Sequence, residues 1–117
     1  MKFTKMQGAG NDFILVEVSS ADQNWSQVAM TMCDRHFGVG GDGLLLVLPS
    51  DEADLRMREF NADGSEAEAC GNGLRCVVKY AACKGLINAD AHQISVETMA
   101  GIREAKLHKR VGEVTEV

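Results

Sequence analysis

Hydrophobic residues along this chain recur with two periods, and the switches between them mark out its elements. Phe3 to Met6 and Phe13 to Val18 have the character of short strands, placed on either side of the loop Gln7-Gly8-Ala9-Gly10-Asn11-Asp12. Trp25, Val28, Ala29, Met32 and Cys33 then fall at i, i+3, i+4, i+7 and i+8, a helical stripe that Asn24 or Ser26 would cap. A Gly-rich turn, Gly38 to Gly43, follows. Leu44 to Leu48 is apolar throughout, as fits a buried strand, and Pro49-Ser50-Asp51 closes it. Leu55 to Phe60 begins with strand-like alternation. The strongest helical segment runs from about Gly71 to Lys84, where Leu74, Cys76, Val77, Val78, Tyr80, Ala81, Ala82 and Cys83 occupy most of the circumference, interrupted by Arg75 and Lys79. A helix apolar on nearly every side is a buried one. Lys84 and Gly85 supply its stop. Ile94 to Thr98 and Ile102 to Leu107 read as a hairpin around Met99-Ala100-Gly101, with a last strand near Val111. The predicted fold is α+β: short strands wrapped around one central buried helix, with a smaller helix outside.

Composition narrows what such a fold can do. A chain of 117 residues, 45% apolar and 25% charged, suits one soluble domain with a modest core. Its formal charge is −5 and only Lys106 to Arg110 is locally basic, which argues against nucleic acid as a partner. Met1-Lys2-Phe3-Thr4-Lys5 carries no apolar leader, and no segment approaches the ~20 apolar residues that span a bilayer. No membrane partner and a cytoplasmic location are therefore expected. The cysteines Cys33, Cys70, Cys76 and Cys83 show no C-x-x-C pair, and no histidine cluster completes a metal site. Cys76 and Cys83, seven apart on one helix face, read as small buried hydrophobes, as does Cys33.

Cys70 has a different context. It lies between the turn-rich segment Phe60-Asn61-Ala62-Asp63-Gly64-Ser65-Glu66-Ala67-Glu68 and the first turn of the apolar helix. The positive end of the helix dipole and its unpaired N–H groups favour a thiolate there, so its pKa is expected below the ~8.5 of a free cysteine. Gly71 and Gly73 leave that backbone open to a small anionic ligand. Asn11 and Asn61 carry amides able to read the carboxylate or the ammonium of an amino acid, although each taken singly also fits a turn residue. Gly8-Ala9-Gly10-Asn11 and Gly38 to Gly43 lack the complete phosphate or dinucleotide fingerprints and read as tight turns. Glu66 and Glu68 are expected to be solvated charges or partners of the helix dipole. His36, His92 and His108 share no context that would make a general base.

Three segments in order resemble the diaminopimelate epimerase family: Phe3 to Phe13, Cys33 to Gly43, and Phe60 through Cys76. The resemblance implies a pyridoxal-independent, metal-free enzyme that needs no cofactor and interconverts L,L- and meso-diaminopimelate. It implies two similar halves, each a strand-wrapped helix, with the substrate between them and one cysteine from each half on opposite sides of the α-carbon. Residue by residue, Cys70 matches the catalytic cysteine of the first half, Asn11 and Asn61 match substrate-binding asparagines, and Gly71 and Asn72 match the loop that holds the reacting carboxylate. Gly43 stands where many members carry Gln. Residues 1–117 thus correspond to the N-terminal half-domain, and the second half, with its own Cys-Gly loop, is missing. The half is expected to be inactive alone and to self-associate through an uncovered sheet edge. The alternatives are a half-length amino-acid-binding module, a homodimer using two copies of Cys70, and a related proline racemase-like enzyme.

Overall fold

β3 (Gly43–Leu48) is buried at all six positions, so both faces of the sheet around it must be covered. The computed structural model describes residues 2–8, 10–20, 22–36, 38–68, 71–86, 93–106, 108–110 and 113–116. β1 (Thr4–Gly8) pairs antiparallel with β2 (Asn11–Glu17), which runs parallel to β3. β4 (Leu55–Asn61) returns antiparallel to β3. On its other side β4 is shared: Glu59 and Phe60 take the two-residue β5 (Glu66–Ala67), while Leu55 and Arg56 take β6 (Gln93–Thr98) in parallel. β7 (Gly101–Lys106) completes the hairpin with β6, giving the spatial order β1-β2-β3-β4-β6-β7 with β5 to one side. β8 (His108–Arg110) and β9 (Glu113–Glu116) form a separate short hairpin.

Strand alternation divides the core in two. Phe13, Leu15, Leu45, Val47, Leu55 and Met57 pack with Val77, Val78 and Ala81 of α2 (Gly71–Cys83). Their neighbours Ile14, Val16, Leu44, Leu46 and Phe60 pack on the opposite face with Trp25, Ala29 and Cys33 of α1 (Trp25–Cys33). α2 is the central helix expected from its apolar circumference: its backbone approaches β1, β2, β3, β4 and β9. α1 is the smaller outer one. Asn24 caps α1, its Oδ1 accepting from the Gln27 N–H at 3.3 Å. α2 ends in a Schellman turn, in which Leu86 N–H donates to Ala81 O and Gly85 takes φ +72°.

Two expectations need correction. Cys83 is exposed, unlike Cys76, although the two share a helix face. The reason is axial rather than angular: Cys83 to Leu86 are all exposed, beyond the part of α2 that the sheet covers. Glu66 is exposed, as a solvated charge would be, but it has a side-chain partner that the expectation lacked: it pairs with Arg58, as described below.

The Gly38–Gly43 turn is a C-terminal cap. Gly38, Gly40 and Gly41 donate their N–H groups to Asp34 O, Met32 O and Cys33 O, at 2.9, 2.9 and 3.2 Å, which satisfies the end of α1. A Cβ on Gly38 would collide with the Thr31 carbonyl oxygen and come within 2.8 Å of that of Met32. Gly85, by contrast, has nothing within 4 Å and needs only its positive φ. Gly38→Ala is therefore expected to cost about 3 kcal/mol in urea unfolding, an overpacking penalty. Gly85→Ala should cost only about 1–2 kcal/mol, the strain of a left-handed L-residue.

Candidate functional site at one end of the sheet

Sheet register gathers the candidate residues at one end. Phe13, Gly43 and Asn61 lie side by side across β2, β3 and β4. Asn11 is two positions outward from Phe13 and falls in the same alternation, as Asn61 does with Leu55 and Met57; both belong to the α2 face of the sheet. α2 is oriented by its contacts. Its C-terminal Tyr80 donates to Glu17 Oε2 at 3.0 Å, at the far end of β2, so its first turn returns to the end that carries Asn11 and Asn61. Gly71 and Asn72 open that turn, the first exposed and the second half-buried. Cys70 lies outside the described residues. The structure thus brings Asn11, Asn61, Gly71 and Asn72 to a common end.

Local chemistry holds each strand end. Asn11 follows a tight hairpin, opposite Gly8, with Gly10 at φ +91°. Asp12 and Asp42 are bonded twice, Asp12 N–H to Asp42 Oδ2 and Asp42 N–H to Asp12 O, each at 2.7 Å. Arg35 reaches both carboxylates, at 3.6 and 3.2 Å, which ties the α1 cap to the base of Asn11. Being exposed, those ion pairs add little energy and serve mainly as register. Gly43 sits under the centre: a Cβ there would lie 3.1 Å from Phe60 O and 3.4 Å from the Phe13 ring.

Below Asn61, Arg58 makes two parallel bonds to Glu66, Nε to Oε2 and NH2 to Oε1, both 2.8 Å, and stacks 5.1 Å from the centre of the Phe60 ring. This fork fastens β5 to β4 and so fixes where the chain leaves for α2. Arg58 hydrogen bonding holds the Glu66 carboxyl below its ordinary value and raises that of the Arg58 guanidinium. Glu59 is buried on the α2 face, between Met57 and Asn61. Neither Arg58 nor Glu59 was singled out from sequence. The alternation in Leu55-Arg56-Met57-Arg58-Glu59 holds a signal for Glu59, because it puts a carboxylate on the apolar side.

Other features are excluded by position or chemistry. A groove of about 930 Å³ lies at the opposite end of the sheet, lined by residues such as Glu17, Val47, Leu55, Tyr80 and Lys84. Burial pushes the Cys33 thiol above its ordinary value, which suits a packing residue rather than a base. His36 is exposed beside the α1 cap, its N–H donating to Asp34 Oδ1 at 2.7 Å. Among the described residues, no helix is long and apolar enough to cross a membrane.

The unit so defined is a mixed sheet with a helix on each face and polar groups at the end where α2 begins. Its fold is similar to that of hydroxyproline epimerase from Agrobacterium vitis, with a TM-score of 0.74 at 17% identity over 96% of this chain and 38% of that one. Residues 3–116 match the family model of diaminopimelate epimerase. The chain is 52% identical to the diaminopimelate epimerase of Caldanaerobacter subterraneus subsp. tengcongensis, over 100% of this chain and 42% of that protein. It is 53% identical to the one from Pelotomaculum thermopropionicum, over 97% and 41%. The chain belongs to the diaminopimelate epimerase family, and it spans about two fifths of the length of these relatives.

The Arg58–Glu66 fork has a pH signature. Because the folded carboxyl is depressed, its contribution is present above the unfolded glutamate value of ~4.3 and is lost as pH falls through the lower folded value. Glu66→Gln is expected to flatten the acid limb of a plot of unfolding midpoint against pH. A limb as steep as the parent's would show that other carboxylates set it.

Proposed function

We propose that residues 1–117 form the N-terminal half of a diaminopimelate epimerase, carrying one cysteine and one wall of the substrate cleft. In this reading the substrate's reacting carboxylate sits at the first turn of α2, on Gly71 and Asn72. Asn11 and Asn61 hold its polar groups from the sheet end. Cys70 takes or gives the α-proton on one face: as thiolate it removes the proton, leaving a carbanion, and as thiol it returns one to that same face. A cysteine from the missing C-terminal half does the reverse on the opposite face, so each turnover inverts the centre. Negative charge developing on the α-carbon spreads into the carboxylate, where oriented N–H groups and the helix dipole stabilise it. The chemistry needs no metal and no cofactor.

The observation that supports this most directly is Gly71. The other glycines of the loops are spoken for by the fold: Gly38 and Gly64 by close contact, Gly40 by contact and positive φ. Gly71 has no positive φ and nothing within 4 Å of where a Cβ would stand. A helix prefers alanine to glycine by up to about 1 kcal/mol, so stability gives no reason for glycine at that position. Space kept open for a ligand to approach the backbone gives one.

The test follows from that contrast. In the protein assembled with its C-terminal half, Gly71→Ala should unfold within about 1 kcal/mol of the parent while kcat/KM for diaminopimelate falls about 100-fold, the scale of a misplaced reacting group. Equal activity would remove the ligand from Gly71. Incubated alone with diaminopimelate in D₂O, the 117-residue chain is expected to leave the α-proton unexchanged. Exchange that Cys70→Ala abolishes would instead favour a homodimer with two copies of Cys70. β1 and β7 end the strand order of the sheet, which supports self-association of the isolated chain; sedimentation that does not change with concentration would contradict it.

A further inference from the structure

We propose that Asp63 and Ser65 are positioning residues for Asn61, and that together they decide which end of its amide faces the ligand. The inference rests on the reading of Asn61 as a substrate-binding residue.

Asp63 Oδ1 accepts from Ser65 Oγ at 2.6 Å and from Ser65 N–H at 2.9 Å. A carboxylate is an acceptor only, so the single hydroxyl proton of Ser65 is committed to it. Ser65 Oγ then has only lone pairs left to offer. It stands 3.0 Å from the Asn61 amide, and the group facing it must be the donor, Nδ2. The reversed amide would set Oδ1 against an oxygen with no proton to give. The Ser65 hydroxyl bond holds Asp63 below its ordinary carboxylate value, which keeps this polarity intact near neutral pH.

The relay also has a fixed base. Asn61 N–H donates to Ser65 O at 2.8 Å, and Asn61 O accepts from Gly64 N–H at 2.9 Å, so the turn closes on its own first residue. Gly64, at φ +91°, lies so near α1 that a Cβ would come within 2.9 Å of Met30 Cγ and 3.0 Å of Ser26 O. The turn therefore packs directly on α1, which blocks its movement toward that helix.

The consequence is chemical. Asn61 taken alone reads a carboxylate or an ammonium equally well. With one Nδ2 proton held by Ser65, Oδ1 and the second Nδ2 proton remain to be offered, in an arrangement the turn fixes. A ligand ammonium must then approach from the Oδ1 side, and a reversed amide would move that acceptor away from it.

The experiment compares Asn61→Ala, Ser65→Ala, Ser65→Thr and Asp63→Ala in the protein assembled with its C-terminal half, separating KM from kcat for diaminopimelate. Ser65→Ala should raise KM about 10-fold, the loss of one bond to a charged group, with kcat within about twofold. Asp63→Ala should do the same, because it removes the oxygen that accepts both Ser65 bonds and frees the hydroxyl proton to turn the Asn61 amide around. Ser65→Thr keeps the hydroxyl and should keep KM. If Asn61→Ala raises KM while Ser65→Ala and Asp63→Ala do not, the relay is overturned and the reading of Asn61 stands. If Asn61→Ala leaves KM unchanged, Asn61 does not bind substrate and the relay has nothing to position. A loss of kcat at constant KM would also overturn it, as would Ser65→Thr behaving like Ser65→Ala. A measurement that needs no variant is the side-chain amide of Asn61 in a ¹H–¹⁵N spectrum of the unmodified chain. One proton shifted downfield and slow to exchange supports the relay; both protons at ordinary free-amide positions and exchanging freely overturn it.

Discussion

Everything in this molecule depends on the double burial of β2 and β3. Two neighbouring parallel strands with apolar residues on both faces have no stable arrangement unless each face is covered by a separate element. α1 covers one face and α2 the other. A one-residue slip in either strand would exchange the two sets of side chains, so the alternation that fills both cores also fixes the register. The position of the site follows from that register. Asn11 and Asn61 share an end because their strands are locked through β3. The first turn of α2 returns to the same end because its last turns must reach Tyr80 to Glu17 at the other.

The glycines separate into those that build and those that open. Gly38, Gly40 and Gly41 cap α1 with their N–H groups, and so cannot cradle a phosphate as a Gly-rich loop elsewhere might suggest. Gly64 lies pressed against α1. Gly71 combines open space with no positive φ, whereas Gly85, equally open, is needed for its φ of +72°. A loop rich in glycine is thus weak evidence of binding until each N–H and each missing Cβ has been accounted for, a test that depends on tertiary contacts.

Periodicity made most of the elements legible: the strand pairs, the capped outer helix, the buried central helix and the hairpin about Met99 and Ala100 all stand where the pattern predicts. What failed was of a different kind. Cys83 has the right angle on its helix but the wrong height, and periodicity carries no information about where a neighbouring sheet stops. Glu66 lies near a helix start in sequence, yet a bidentate arginine two residues from its strand partner outcompetes a diffuse dipole. Asn11, Asn61, Gly71 and Asn72 are candidates from residue type and family resemblance, whereas nothing in the spacing points to Asp63 and Ser65. Their role depends on the direction of hydrogen bonds, which no spacing encodes.

A site at the end of a sheet has an inherent asymmetry, and here it bears on why the chain would hold half of a cleft. The sheet and α2 present polar groups from one side only, while the groove of about 930 Å³ lies at the other end, away from them. Acid–base inversion at a carbon needs groups on two opposed faces, since a single proton carrier returns the proton to the face it took it from. In the proposed reading, one wall that carries Asn61, the open start of α2 and Cys70 therefore cannot invert a centre by itself. In that reading the second wall comes from another polypeptide surface, and the register that locks Asn11 and Asn61 through β3 gives it a preformed sheet end to meet.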